Sequence, residues 1–242
     1  GVLSVMKHFP GHGSTTADSH LELPVINKSL QELKQYDFAP FQQYIDAGLG
    51  GCLTAHLYIP AIDKRRVPGT MSKAYVTNLL QKKMHFNGLI FTDALGMEGA
   101  KEVKGSVCVN AFLAGNDILL MPNEVGPEIA AIKQAIAAGK IKQKDVDARV
   151  KKILRFKYAL GLDTKPQIDL ANIVADINAP ESKVLQRKMV ASAVTVVKSA
   201  NDILPLKNLN NRKIAVVVMG NENGVKSMFA RRCTDYAEAT VF

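Results

Sequence analysis

Short apolar runs recur along the first half of the chain, each followed by a longer stretch with helical spacing. The runs are Val2-Leu3-Ser4-Val5-Met6, Gly51-Cys52-Leu53-Thr54-Ala55, Leu89-Ile90-Phe91-Thr92 and Asp117-Ile118-Leu119-Leu120-Met121. Their apolar character is continuous rather than alternating, as in strands buried on both faces of a parallel sheet. Helices are predicted between and after them at 29–47, 73–85, 99–114 and 126–138. The first opens with the capping pattern Ser29-Leu30-Gln31-Glu32, in which serine and glutamate satisfy each other's orphan backbone donors. Successive strand–helix units predict an α/β fold. A further amphipathic helix is predicted at 145–160, closed by Gly161.

The polar residues of interest fall just after each run: Lys7 and His8 after the first, His56 after the second, Asp93 after the third, Pro122-Asn123 after the fourth. Parallel α/β folds build their sites at the carboxyl ends of the strands. The pattern therefore predicts the C-terminal part of a (β/α)8 barrel, of which about half is visible against the eight strands of a closed one. Residues 163–192 read as a linker with Pro166 and Pro180, followed by a helix. The β-branched run Val194-Thr195-Val196-Val197-Lys198 and, after turn-rich sequence, Lys213-Ile214-Ala215-Val216-Val217-Val218-Met219-Gly220 read as the start of a second α/β layer. The expected organisation is a partial catalytic barrel over 1–162, a linker and helix over 163–192, and the incomplete beginning of an α/β sandwich domain over 193–242. A chain that opens inside a strand, without an initiator Met, is expected to be a fragment or a processed product.

Composition narrows the function classes. With 47% hydrophobic and 22% charged residues, the chain has enough apolar surface for a packed core and is not of disordered type. No apolar run approaches the roughly 18 residues of a membrane span. The 31 Lys+Arg against 22 Asp+Glu give +9, but the basic clusters are short and not interleaved with aromatics, so no nucleic-acid partner is predicted. The three cysteines show no C-x-x-C spacing. Cys52 and Cys108 are predicted to be buried free thiols rather than parts of a disulfide scaffold.

Two segments carry candidate chemistry. The loop from Lys7 to His20 holds three histidines and an aspartate, His8, His12, Asp18 and His20, in a context shaped by Pro10, Gly11 and Gly13. It can be read as a structural loop, as a metal site, or as a catalytic and sugar-binding loop. The metal reading is weakened because His8 and His12 would need a helix to align their rings, and Pro10-Gly11 breaks one. No metal or other cofactor is predicted. The second segment is Gly88-Leu89-Ile90-Phe91-Thr92-Asp93-Ala94-Leu95-Gly96-Met97. Asp93 at its strand end is either a catalytic carboxylate or the N-cap of the following helix, and spacing alone does not choose between them.

Lys7-His8-Phe9-Pro10-Gly11-His12-Gly13, with Asp18-Ser19-His20 and Leu23-Pro24, resembles the signature loop of the β-N-acetylglucosaminidase (β-N-acetylhexosaminidase) branch of glycoside hydrolase family 3. Leu79-Leu80-Gln81-Lys82-Lys83 with Gly88 to Asp93 resembles the family's nucleophile signature. Further similarity runs through Ala114 to Pro122, Ala148-Arg149-Val150, Leu160-Gly161-Leu162, and Ala193 to Lys198 with Leu204-Pro205-Leu206. The resemblance implies a retaining glycosidase that releases terminal β-linked N-acetylglucosamine, with peptidoglycan fragments or other glycans as substrates. In that reading Asp93 is the nucleophile, His20 the acid/base and Asp18 its partner. Lys7 and His8 bind the sugar. From its strand-end position His56 reads as a wall of the site or a group just behind it, and Met97 as packing or a pocket wall. A histidine suits the acid/base role because its ordinary pKa lies near neutrality. Gly11, Gly13, Ser14 and Ala17 are expected to let the loop move over the sugar.

Two departures stand out. Gln81 replaces a basic residue on a helix, with no catalytic effect expected. Ser14 replaces an aspartate, which bears on loop anchoring. The first barrel half, which supplies further sugar-holding groups in the family, has no counterpart here, so the isolated chain is expected to lack part of its pocket. Phosphorolysis, with phosphate as acceptor, and an inert carbohydrate-binding role remain alternatives. A bacterial origin is implied, with exported, periplasmic and cytoplasmic locations all left open.

Overall fold

The computed structural model describes residues 2–15, 17–19, 21–164, 169–201, 203–219 and 227–242. The chain divides into two compact units, Gly1–Gln167 and Ile168–Phe242. The first is built on a three-stranded parallel sheet in the order β1 (Val5–Phe9), β2 (Gly51–Thr54), β3 (Leu89–Thr92). The predicted α/β class is observed. Parallel pairing sets all three carboxyl ends on one edge, and the segments with candidate chemistry emerge there.

The fourth run, at 117–121, follows β3 without forming a full ladder. Asp117 and Ile118 donate to the Ile90 carbonyl and Thr92 N–H donates to Ile118. Leu95 and Gly96 donate to Leu120 and Met121. In the middle the Thr92 hydroxyl accepts from Leu120 N–H. A side chain thus takes the place of one backbone rung.

Between β1 and β2, the helix predicted at 29–47 is broken into pieces. Helix α1 (Leu30–Glu32) carries the predicted capping box. It passes into a π-helical turn, Leu33–Asp37, closed by Phe38 N–H on Leu33 O at 2.8 Å. Helix α2 (Ala39–Asp46) then restarts with proline in its first turn. Pro40 has no N–H to continue a regular ladder, so the break is local chemistry. The predicted helix at 73–85 is a π-helix over Ala74–Lys83. Its buried positions Tyr75, Val76, Leu79 and Leu80 give the same apolar pattern either way.

The helix predicted at 99–114 is corrected. Only α3 (Val107–Ala114) is helical, capped by Ser106. Before it come a short 3-10 turn, Glu98–Ala100, and a loop ending at Gly105, whose φ of +79° favours glycine. Helices α4 (Val125–Ala137) and α5 (Gln143–Ala159) complete the unit. Residue Arg149 of α5 lies 3.5 Å over the Phe112 ring. Lys152 pairs with Asp117 at 2.7 Å, fastening α5 to the amino end of β3.

Helices and sheet enclose a core of Phe9, Leu33, Phe38, Phe41, Cys52, Tyr75, Val76, Leu80 and Ile90. Each fully buried aliphatic side chain there contributes about 1.5–3 kcal/mol. Cys52 and Ile90 face this core, so by strand alternation Leu53 and Phe91 point to the opposite face, where both are only half-buried. Cys52 and Cys108 are buried free thiols, as predicted, while Cys233 is half-buried.

The second unit contains α6 (Ile173–Ile177), α7 (Pro180–Ala193), a parallel strand pair β4 (Ile214–Val216) and β5 (Ala239–Val241), and α8 (Met228–Thr234) between them. Residues 194–198 form no strand. Val197 there is 93% exposed, and among the described residues this run pairs with no strand. No helix among the described residues is long and apolar enough to cross a membrane.

Candidate active site

Asp93 is fixed by its backbone. Its N–H donates to Thr54 O at the end of β2, and its Oδ1 accepts from Ala94 N–H at 2.9 Å. No helix begins at this point; the chain turns through Leu95 and Gly96, which are tied to Leu120 and Met121. The N-cap alternative is therefore not realised. The second carboxylate oxygen, Oδ2, lies 4.0 Å from His8 Nε2, with both side chains partly accessible. A carboxylate held at a strand end beside a histidine can attack an electrophilic carbon or stabilise positive charge developing there.

His56 lies beneath this position. It is fully buried, and its Nε2–H donates to Ala94 O at 3.0 Å. Burial holds its pKa below the usual imidazole range, against the opposing pull of the Ala94 carbonyl and the Asp93 carboxylate. Its ring is thus neutral, and among the described residues Nδ1 has no hydrogen-bond partner. The structure places His56 behind the Asp93–Ala94 peptide rather than on an open pocket wall. Met97 is half-buried just past the turn.

Lys7 and His8 belong to β1, with Lys7 exposed and His8 half-buried. The Lys7–His8 and Phe9–Pro10 peptides are cis. The rings of His8 and His12 meet edge-on at 5.8 Å, and His12 Nε2 is hydrogen-bonded to Ser19 Oγ at 3.1 Å. Among the described residues, no three His, Cys, Asp or Glu side chains converge as metal ligands. Ser14 Oγ donates to Asp37 Oδ1 at 3.2 Å, and Asp37 also receives Lys28 at 2.7 Å. A serine at 14 therefore still anchors the loop, as donor to an acid. Gln81, the other departure, donates to Gly115 O from its helix.

Asp18 is exposed, and its carbonyl accepts from Leu21 and Glu22 N–H in a turn. His20, the predicted acid/base, lies outside the described residues. The structure thus brings together Asp93, His8 and His56, with Lys7 on the same strand as His8. Two residues that the pattern did not single out also shape the site. Ser19 is 5% exposed, and its carbonyl accepts from Gly99 N–H at 3.2 Å. In the sequence Gly99 reads only as the first residue of the predicted helix at 99–114.

Comparison with known proteins gives a consistent family. Residues 1–156 match the glycosyl hydrolase family 3 N-terminal domain. The chain is 31% identical over 241 residues to β-hexosaminidase A of Pseudoalteromonas piscicida, covering 90% of this chain and 39% of that protein. It is 41% identical over 127 residues to a β-hexosaminidase of Haemophilus influenzae, covering 51% of this chain and 36% of the relative. The chain thus spans well under half the length of these relatives.

Among solved structures, a family 3 β-N-acetylglucosaminidase from Paenibacillus sp. superimposes with a TM-score of 0.81 at 22% identity, over 100% of this chain and 48% of that one. The β-glucoside phosphorylase BglX bound to 2FGlc gives 0.85 at 25% identity, over 100% and 46%. On the match of its first 156 residues and its likeness to the Pseudoalteromonas enzyme, the chain belongs to glycosyl hydrolase family 3.

Proposed function

We propose that the protein is a retaining β-N-acetylglucosaminidase. The observation that carries this reading is Asp93, a carboxylate fixed at the carboxyl end of β3, capping no helix and lying 4.0 Å from His8. The relatives named as β-hexosaminidases supply the substrate class, a terminal N-acetylhexosamine on a glycan or a peptidoglycan fragment. In the first step the Asp93 carboxylate bonds to the anomeric carbon as the glycosidic C–O bond breaks. His20 gives its proton to the departing oxygen. In the second step water attacks the same carbon, its proton passes to His20, and Asp93 leaves as carboxylate. Asp18 favours the imidazolium and fixes its tautomer. Lys7 and His8 hold sugar hydroxyls, Met97 contributes to the pocket wall, and His56 acts from behind by holding the Ala94 carbonyl.

The half-buried face bearing Leu53 and Phe91 would be the interior of a (β/α)8 barrel whose remaining strands complete the sugar pocket. Residues 193–242 would then open an α/β sandwich domain. Phosphorolysis is the second reading, favoured by the likeness to a β-glucoside phosphorylase. A histidine acid/base brings less negative charge near an anionic acceptor than a carboxylate would. One assay separates the two: a chromogenic β-N-acetylglucosaminide with and without inorganic phosphate, followed for free sugar and sugar 1-phosphate. Free N-acetylglucosamine as product at all phosphate concentrations supports hydrolysis. Sugar 1-phosphate as the main product would replace it with phosphorolysis, and no cleavage by the protein with its natural flanking sequence would overturn both.

A further inference from the structure

The loop bearing Asp18 meets the segment that follows Asp93 through two residues with no assigned role. Gly99 N–H donates to the Ser19 carbonyl at 3.2 Å. A Cβ at position 99 would lie 3.0 Å from Ser19 O, 3.0 Å from Glu22 O and 3.3 Å from His56 Cβ. Two loop carbonyls therefore close on Gly99 at a distance that any side chain would disturb. On its other side Ser19 is gripped through Oγ, 3.1 Å from His12 Nε2. Ser19 is 5% exposed, while Asp18 beside it is exposed.

We infer that Gly99 and Ser19 form a latch that sets the position of Asp18 relative to the strand end bearing Asp93. They are positioning residues for the proton transfer, an inference that rests on the function proposed above. The glycine admits two carbonyls where a methyl group would push them away. Ser19 transmits that placement to Asp18, the proposed partner of the acid/base. An alanine at position 99 would make these neighbours give by a few tenths of an ångström, and proton donation depends steeply on placement, a shift of about 1 Å costing on the order of 100-fold.

The test uses the protein with its natural flanking sequence and two N-acetylglucosaminides. Departure of 2,4-dinitrophenolate needs no proton, whereas departure of an alkoxide does. Gly99→Ala is expected to lower kcat/KM for an alkyl glycoside roughly 3- to 10-fold and for the dinitrophenyl glycoside less than about two-fold. Ser19→Ala, which keeps the backbone contact, should shift the ratio the same way by less. In a separate arm, amide exchange across 18–24 should quicken in Gly99→Ala while 51–54 and 89–92 stay protected. Equal losses on both aglycones, or unchanged exchange at 18–24, would overturn the latch. If Gly99→Ala does not fold, an unchanged aglycone ratio in Ser19→Ala overturns it. Failure of the underlying function shows differently, as hydrolysis that survives Asp93→Asn, and the exchange arm still decides the latch.

Discussion

The segment that carries Asp93 and the segment that carries Asp18 are held in different ways. Around Asp93 the backbone N–H groups are engaged in succession, that of Asp93 by Thr54 and those of Leu95 and Gly96 by Leu120 and Met121, and Ala94 O is held by His56. The loop from Gly11 to Pro24 is fastened at points. Ser19 is clasped by His12 and Gly99, and Leu23 and Pro24 are buried, but Gly13 and Ser14 are exposed. The proposed retaining mechanism has use for both. The nucleophile meets one carbon from one direction in both steps, so a fixed strand end suits it. The acid/base serves first a leaving oxygen and then a water, which suits a loop with local freedom.

The largest break in this comparison would come at the fixed end. Asp93→Asn removes the proposed nucleophile and is expected to lower turnover of a chromogenic N-acetylglucosaminide by at least about 1,000-fold, with the thermal midpoint nearly unchanged. Ile90→Ala, in the core beneath β3, should cost about 3 kcal/mol of stability in urea unfolding. A much smaller loss would mean that the strand is not the rigid floor described.

His56 gives a pH-dependent effect. Because burial lowers its folded pKa, the unfolded chain binds the proton more readily. Its contribution is complete above the ordinary imidazole value of about 6.5 and is lost as pH falls from there toward the folded value, by at most about 1.4 kcal/mol per pH unit. His56→Phe should flatten that part of the stability profile; an unchanged slope would show that His56 is not held neutral. The smallest effect belongs to the loop: Ser14→Ala removes an exposed hydrogen bond to Asp37 and should change stability by less than about 1 kcal/mol, measured by thermal unfolding.

The sequence made β2 and β3 legible because their runs are continuously apolar, whereas β1 lies at Val5–Phe9, later than the run Val2–Met6, so that Lys7 and His8 fall within the strand and not after it. It also placed the capping box at Ser29. It did not reveal the break at Leu33–Asp37, because apolar spacing over so few residues does not separate a π turn from an α turn. The helix that starts only at Val107 was signalled by Gly105-Ser106, a glycine followed by a capping serine, but the small apolar residues around Gly99 masked it. Asp93 and His8 were legible as site candidates from their strand-end positions. The burial of His56 and the Gly99–Ser19 contact were not, because both arise where segments distant in sequence pack together.

The central claim is that Asp93 is the nucleophile. It is tested most directly by incubating the protein, with its natural flanking sequence, with a fluorinated N-acetylglucosaminide bearing a good leaving group and locating the trapped sugar by peptide mass spectrometry. The account predicts one sugar per chain, esterified to Asp93, with activity lost in proportion. A sugar trapped on another residue, or continued turnover with Asp93 unmodified and replaceable by asparagine, would contradict it.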